Sequence, residues 1–123
     1  MKALSVRQPW AWAIVSGHKT IENRSWQTTY RGPLLIHAGR TFDPVGYERL
    51  LGIAKRLRFE VPSAAELARG GVVGRVNLVE IVTNAPRNDP WFVGPFGWRL
   101  AHARKHRFRP LEGTLKLFNV DGS

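Results

Sequence analysis

The residues best placed to do chemistry lie in Gly17-His18-Lys19-Thr20-Ile21-Glu22-Asn23-Arg24, which runs directly into Ser25-Trp26. An amine, a carboxylate and a guanidinium this close together allow two kinds of chemistry. Lys19 serves as a general base or electrostatic stabiliser if burial or the Arg24 charge lowers its pKa, with Glu22 or Glu80 relaying the proton. Alternatively, Lys19 and Arg24 grip a phosphate or a base edge. Side chains on an extended segment alternate between faces, so Thr20, Glu22 and Arg24 share one face and Lys19, Ile21 and Asn23 the other. Lys19 therefore meets Glu22 only if the turn at Gly17 or a bulge breaks the alternation. Otherwise Glu22 and Arg24 form a solvated pair along one face.

Other residues widen the set. The even-numbered positions of Val72–Thr83 carry Val72, Val76, Leu78 and Val82, and Glu80 falls among them. A carboxylate on an apolar face needs a partner, and Lys19 or Arg24 is expected to supply it; an exposed edge position or a structural ion pair is the alternative. His37 sits in the apolar run Leu34–Ala38, either as a hydrogen-bonded core residue or as a ligand contact. The chain has five tryptophans. Trp10 and Trp12 are neighbours on a helix, about 100° apart, so one of them lines a pocket or is exposed. Trp10, Trp26 and Trp98 are expected beside the polar site, where an indole face suits stacking on a nucleobase. Arg7, Gln8, Ser25, Arg31 and Arg75 complete the expected ligand contacts, and Arg40 extends the positive path. The run His102-Ala103-Arg104-Lys105-His106-Arg107-Phe108-Arg109 reads as a phosphate-binding edge or a solvated basic loop. His102 and His106 are the one histidine pair at helical spacing, but the cations around them discourage a metal, and no metal or other cofactor is expected.

The charge balance agrees with an anionic partner. Nineteen Lys and Arg against nine Asp and Glu give a net charge of +10 over 123 residues. Such a balance attracts polyanions through counterion release, though an arginine-favouring composition alone also produces it. The chain has no cysteine, which excludes disulfides and thiolate metal sites and fits a reducing, cytoplasmic setting. No apolar run approaches the roughly 18 residues of a membrane span.

The elements that must position these side chains follow from local signals. Lys2–Val6 reads as a strand, and Pro9 opens a short helix that stops at Gly17. Leu34–Ala38 is a buried strand. Asp43-Pro44 caps a helix expected to reach about Leu57. Ser63-Ala64-Ala65-Glu66 is a capping box. Val72–Thr83 is expected to be the longest strand, Asn84–Gly97 a proline-containing loop, and Trp98–His102 and Thr114–Val120 the last strands. Short strands with short helices between them predict a single α+β domain over residues 1–123, shaped as a small barrel.

Ser5-Val6-Arg7-Gln8-Pro9-Trp10-Ala11, Gly17 to Arg24, and Tyr30-Arg31-Gly32-Pro33-Leu34-Leu35-Ile36-His37-Ala38 together resemble the ASCH domain family of the PUA-like superfamily. Gly17, Lys19, Glu22 and Arg24 match its hallmark of glycine, lysine, glutamate and arginine in full. Gly71 to Val76, Phe96-Gly97-Trp98 and Gly113-Thr114-Leu115 resemble later segments. The resemblance implies a small PUA-like β-barrel of about five or six strands with short peripheral helices. It also implies a cleft lined by the hallmark residues and a ligand that is RNA, another nucleic acid or a nucleoside. Some family members resemble amidohydrolases that act on acetylated cytidine, with a lysine, a threonine three residues later and a distant glutamate; another has been described as a nuclease. Here Glu22 stands where that threonine would be, and a carboxylate cannot replace a hydroxyl nucleophile without changing the chemistry. Three expectations follow. The first is a module binding RNA or single strands. The second is a hydrolase, a nucleoside amidohydrolase or ribonuclease, with Lys19, Glu22 and Glu80 as its catalytic set. The third is a basic scaffold for a protein partner.

Overall fold

The computed structural model describes residues 1–121. Its elements are β1 (Lys2–Gln8), α1 (Trp10–Val15), β2 (Ile21–Arg24), β3 (Gly32–Phe42), α2 (Pro44–Leu57), a 3-10 turn at Ala64–Glu66, β4 (Gly71–Val82), β5 (Phe96–Pro110) and β6 (Leu117–Asn119). Asp43 caps α2 as expected, its side chain accepting from the Gly46 amide, with Pro44 in the first turn. Gly17 ends α1 with φ of +84°, the left-handed geometry a glycine adopts without strain.

The six strands of the described residues form one mixed sheet in the order β2-β5-β4-β3-β1-β6. β1 and β3 run parallel, and the other pairs are antiparallel. In a flat sheet β2 and β1 would lie four strand spacings apart, about 19 Å. Yet the Arg24 Nη2 donates to the Ser5 carbonyl at 2.7 Å. The sheet is therefore rolled until β2 approaches β1, a barrel left open between its edge strands, with Arg24 across the gap. Leu4, Val6, Leu34, Ile36, Val76, Leu78, Trp98 and Leu100 fill its inside with Ile14 of α1. A smaller cluster of Ala3, Leu35, Val72 and Val120 lies on the other face of the sheet.

Three strand readings change. The longest strand is β5, with 15 residues against 12 for β4. The basic run is its second half, paired with the start of β4 (Arg104 opposite Arg75, Lys105 opposite Gly74), and is not a loop. The final strand is shorter than Thr114–Val120, covering only Leu117–Asn119. Glu80 is also displaced from its expected face. The β4 register shifts between Leu78 and Glu80, which ends the alternation of inward side chains. Glu80 is half-exposed and pairs with Arg99 at 2.8 Å.

Candidate functional site

Two adjoining clefts share Trp10, Glu22 and Asn23 as a common wall. The wider, about 590 Å³, opens at the ends of β1 and β3 and is bordered by Arg7, Arg24, Ser25, Trp26 and Arg40. The narrower, about 310 Å³, holds Lys19 between Trp10 and Trp91, with Asp43 and Arg49 from the start of α2.

The hallmark residues converge because the chain turns before β2 begins. The amides of His18 and Lys19 both donate to the Ala13 carbonyl, which folds the segment back on α1. Lys19 therefore precedes the strand alternation, and its Nζ reaches Glu22 Oε1 at 3.4 Å. Arg24 Nη2 lies 2.9 Å from Glu22 Oε2. One carboxylate thus bridges two cations. Lys19 is 5% exposed and Glu22 8%, so this is a buried cluster and not a solvated pair. The Lys19 ammonium also donates to the Ile21 carbonyl and lies 5.4 Å from the Trp10 ring centre and 6.0 Å from that of Trp91.

Burial lowers the Lys19 pKa from its usual 10.5, and Arg49 adds to this; the Glu22 charge and hydrogen bond, with a smaller contribution from Asp89, oppose it. A lysine with a lowered folded-state pKa binds its proton more weakly in the folded chain than in the unfolded one. Stability from this group therefore rises as pH climbs from the folded-state pKa towards 10.5. Urea unfolding across the alkaline range below 10.5 should show that rise, and Lys19→Met should flatten it; an identical slope in the variant would exclude Lys19 as its source.

Trp10 is the indole that faces the clefts. Its Nε1 donates to Asp43 Oδ2 at 3.1 Å, so the α2 cap also orients the cleft wall. Gly46 leaves room for this arrangement, since a Cβ there would lie 2.6 Å from Trp10 Nε1 and 2.4 Å from Asp43 Oδ2. Trp12 turns the other way, towards His18 and Phe59. Trp26 packs edge-on against Trp98 at 4.8 Å, with Lys116 5.7 Å from its ring centre. Arg24 Nε is buried without a hydrogen-bond partner among the described residues. It belongs to a residue lining the wider cleft, although the Nε itself is shielded from that space.

The structure thus brings Arg7, Trp10, Lys19, Glu22, Arg24, Ser25 and Trp26 together, and leaves the other expected residues elsewhere. Trp98 is fully buried beneath Trp26 and supports it without offering a face. Gln8 is spent inside the fold, donating to the Ala68 carbonyl and accepting from the Trp12 amide. His37 lies on the other face of β3, its Nδ1 2.8 Å from Ser5 Oγ and its Nε2 2.5 Å from the Leu111 carbonyl. It ties the segment before β6 to the sheet. Arg31 donates to the Thr28 and Tyr30 carbonyls outside the cleft. Arg75 sits behind the sheet with Leu35 and Val72. Glu80, paired with Arg99, is absent from both cleft walls.

Sequence reasoning missed Asn23, Asp43, Arg49 and Trp91 as wall residues. The Asn23 amide clamps the loop before β5: Nδ2 donates to the Trp91 carbonyl at 2.9 Å, and Oδ1 accepts from the Val93 and Gly94 amides at 2.7 and 3.0 Å. Trp91 is buried among Ala13, Ile21, Leu50 and Ile53. The Asp43 cap signal was visible, but not its second use by Trp10. Among the described residues no cluster of three His, Asp or Glu could hold a metal ion. Among the described residues no helix is long and apolar enough to cross a membrane.

The family model for the ASCH domain matches residues 4–91, which contain the hallmark and most of both cleft walls. The chain belongs to the ASCH domain family. Activating signal cointegrator 1 of Mus musculus is 35% identical to this ASCH domain over 82 residues, 65% of this chain and 14% of that protein. The Homo sapiens protein of the same name matches to the same extent, so the chain spans only 14% of the curated relatives it matches. Among solved structures, ASCH from Zymomonas mobilis superposes with a TM-score of 0.53 at 20% identity, covering 89% of this chain and 73% of that one. A serine-to-alanine variant of it gives 0.62 at 16% identity, covering 98% and 88%. At these identities the likeness speaks for the fold, the small PUA-like α+β architecture.

Proposed function

We propose that this ASCH domain binds nucleic acid, RNA or a single strand, in the wider cleft. The observation that carries this reading is the cleft's composition, with Arg7, Arg24 and Arg40 around a half-buried Trp26. Arginines supply planar donors for phosphate oxygens and base edges. The indole supplies a surface for stacking, worth about 1–3 kcal/mol per base. The chain's charge of +10 supplies long-range attraction.

Fluorescence anisotropy with a labelled single-stranded RNA tests the reading. Three phosphate contacts predict a slope of log affinity against log salt of about −2. Trp26→Ala should weaken binding about tenfold or more through lost stacking. Affinity unchanged between low and moderate salt would overturn the proposal.

The narrower cleft supports a second reading, hydrolysis of a modified nucleoside or of RNA. Its observation is Lys19, a buried amine with lowered pKa beside a carboxylate in a cavity of about 310 Å³. Among the described residues no serine, threonine or tyrosine borders that cavity, and Thr20 is exposed outside it. Neutral Lys19 would therefore take a proton from water as its oxygen attacks the acyl carbon or phosphorus, and Glu22 would relay that proton to the leaving amine or alkoxide as its bond breaks. Turnover of acylated nucleosides or RNA that Lys19→Met abolishes would favour this reading over simple binding.

A further inference from the structure

A second positively charged concavity lies on the opposite face of the sheet. It measures about 290 Å³, and Arg75, His106, Arg107 and Arg109 surround a floor of Leu35 and Val72. It shares no residue with either cleft. Leu35 and Val72 belong to the small cluster behind the sheet, whereas their neighbours Leu34 and Ile36 point into the barrel.

Its charges are arranged against the needs of the fold. Arg75, in its lining, stands directly opposite Arg104 on β5, which lies beside the concavity and not in its wall. Like charges in directly opposed positions destabilise a sheet, where an opposite pair would stabilise it. Among the described residues no carboxylate borders the concavity, and the ion pairs among them lie at Lys19–Glu22, Arg24–Glu22 and Arg99–Glu80, none involving Arg75, Arg104 or Arg107. His106 reports the local field: after burial, the charges of Arg75 and Arg104 hold its pKa below the usual 6.5. By contrast, Arg24 in the cleft is matched to Glu22. A fold that needed only solubility would disperse these cations or interleave carboxylates.

We infer that this concavity is a second nucleic-acid contact, taking one or two backbone phosphates of a strand whose bases occupy the cleft on the other side. The apolar floor sets Arg75, half-buried, within a wall of low polarisability, which strengthens its pull on an anion. The exposed Arg104 and Arg107 side chains adapt to the strand. With no indole in its lining, the concavity is suited to phosphates and not to bases. The inference rests on the nucleic-acid reading above, and it adds that affinity grows with strand length beyond what the cleft can hold.

The experiment compares the full chain with Arg75→Gln/Arg104→Gln and with Trp26→Ala, using labelled uridine oligonucleotides of four and twenty nucleotides. The double variant should bind the longer strand about tenfold more weakly, with a salt slope shallower by about 1.4, the share of two phosphates on a single strand. Its affinity for the short strand should stay within twofold of the wild type. Its melting temperature should hold or rise, because two opposed cations have been removed; Arg107→Gln alone provides a milder check should the double variant unfold. Wild-type affinity and salt slope on the long strand would overturn the second contact while leaving the cleft intact. Loss only in the Arg75→Gln/Arg104→Gln protein, with Trp26→Ala unaffected on both strands, would instead overturn the cleft reading and leave this contact as the binding face. No binding of either strand by the wild type removes both.

Discussion

Glu22→Gln should lower the unfolding free energy by about 3 kcal/mol at neutral pH, the scale for removing one partner from a buried ion pair. The carboxylate stands between Lys19 at 3.4 Å and Arg24 at 2.9 Å, and both would face each other across a neutral amide. Arg24 cannot shed its charge and would turn towards solvent, weakening its bond to the Ser5 carbonyl and with it the seam between β2 and β1. Lys19 can shed its charge. The attraction and hydrogen bond of Glu22 are what hold its pKa up against burial, so the glutamine variant deprotonates Lys19 at lower pH than the wild type does. The deficit should therefore shrink as pH rises, although part persists because the Arg24 pairing is lost at any pH. Urea unfolding of wild type, Glu22→Gln, Lys19→Met and the double variant measures this. The double variant should lose less than the two single losses combined, with a coupling above about 1 kcal/mol. A single-variant loss below about 0.5 kcal/mol, independent of pH, would show the cluster to be solvated.

That cluster was largely legible in the sequence, and the reasons are physical. Gly17 marks a reversal, and a reversal is what lets Lys19 join Glu22 despite strand alternation. The Asp43-Pro44 cap was equally plain, because N-cap chemistry is local. Glu80 was misplaced because a bulge leaves no mark in hydrophobic alternation, and one register shift moves a side chain to another face. The second half of β5 was read as a phosphate-binding edge or a solvated basic loop because six of the residues from His102 to Arg109 are basic, and all but Arg109 are exposed. Its backbone nevertheless pairs with β4. Pairing is a long-range property that charge does not reveal. For the same reason His37 and Gln8 looked like ligand contacts; their partners, the Leu111 and Ala68 carbonyls, come from distant segments. The rolled sheet, and Arg24 as its bridge, required the strand order, and the short segments do not encode that order one at a time.

The loop before β5 gives the last expected result. Asn23→Ala should open the narrower cleft without unfolding the barrel. One side-chain amide makes three bonds to residues 91–94, so its loss removes a donor from the Trp91 carbonyl and an acceptor from the Val93 and Gly94 amides at once. Each net bond contributes about 1 kcal/mol, and water replaces those that become exposed, which leaves a local cost of about 2 kcal/mol. The cost falls on the loop because Trp91 remains held by Ala13, Ile21, Leu50 and Ile53 on its other side. Hydrogen exchange at Val93 and Gly94 should accelerate about 30-fold, while amides of β3 and β4 keep their protection. The same loosening admits water beside Lys19, so its pKa should move back towards 10.5. Asn23→Asp separates the contributions: it keeps the two accepted bonds but sets a carboxylate oxygen against the Trp91 carbonyl, so protection at Val93 and Gly94 should return only in part. Unchanged exchange at Val93 and Gly94 in Asn23→Ala would mean that Trp91 packing alone holds the wall. If the expected pattern holds, the width of the Lys19 cavity is set by a residue inside the hallmark itself, between Glu22 and Arg24. The segment that carries the charges then also fixes the loop that encloses them.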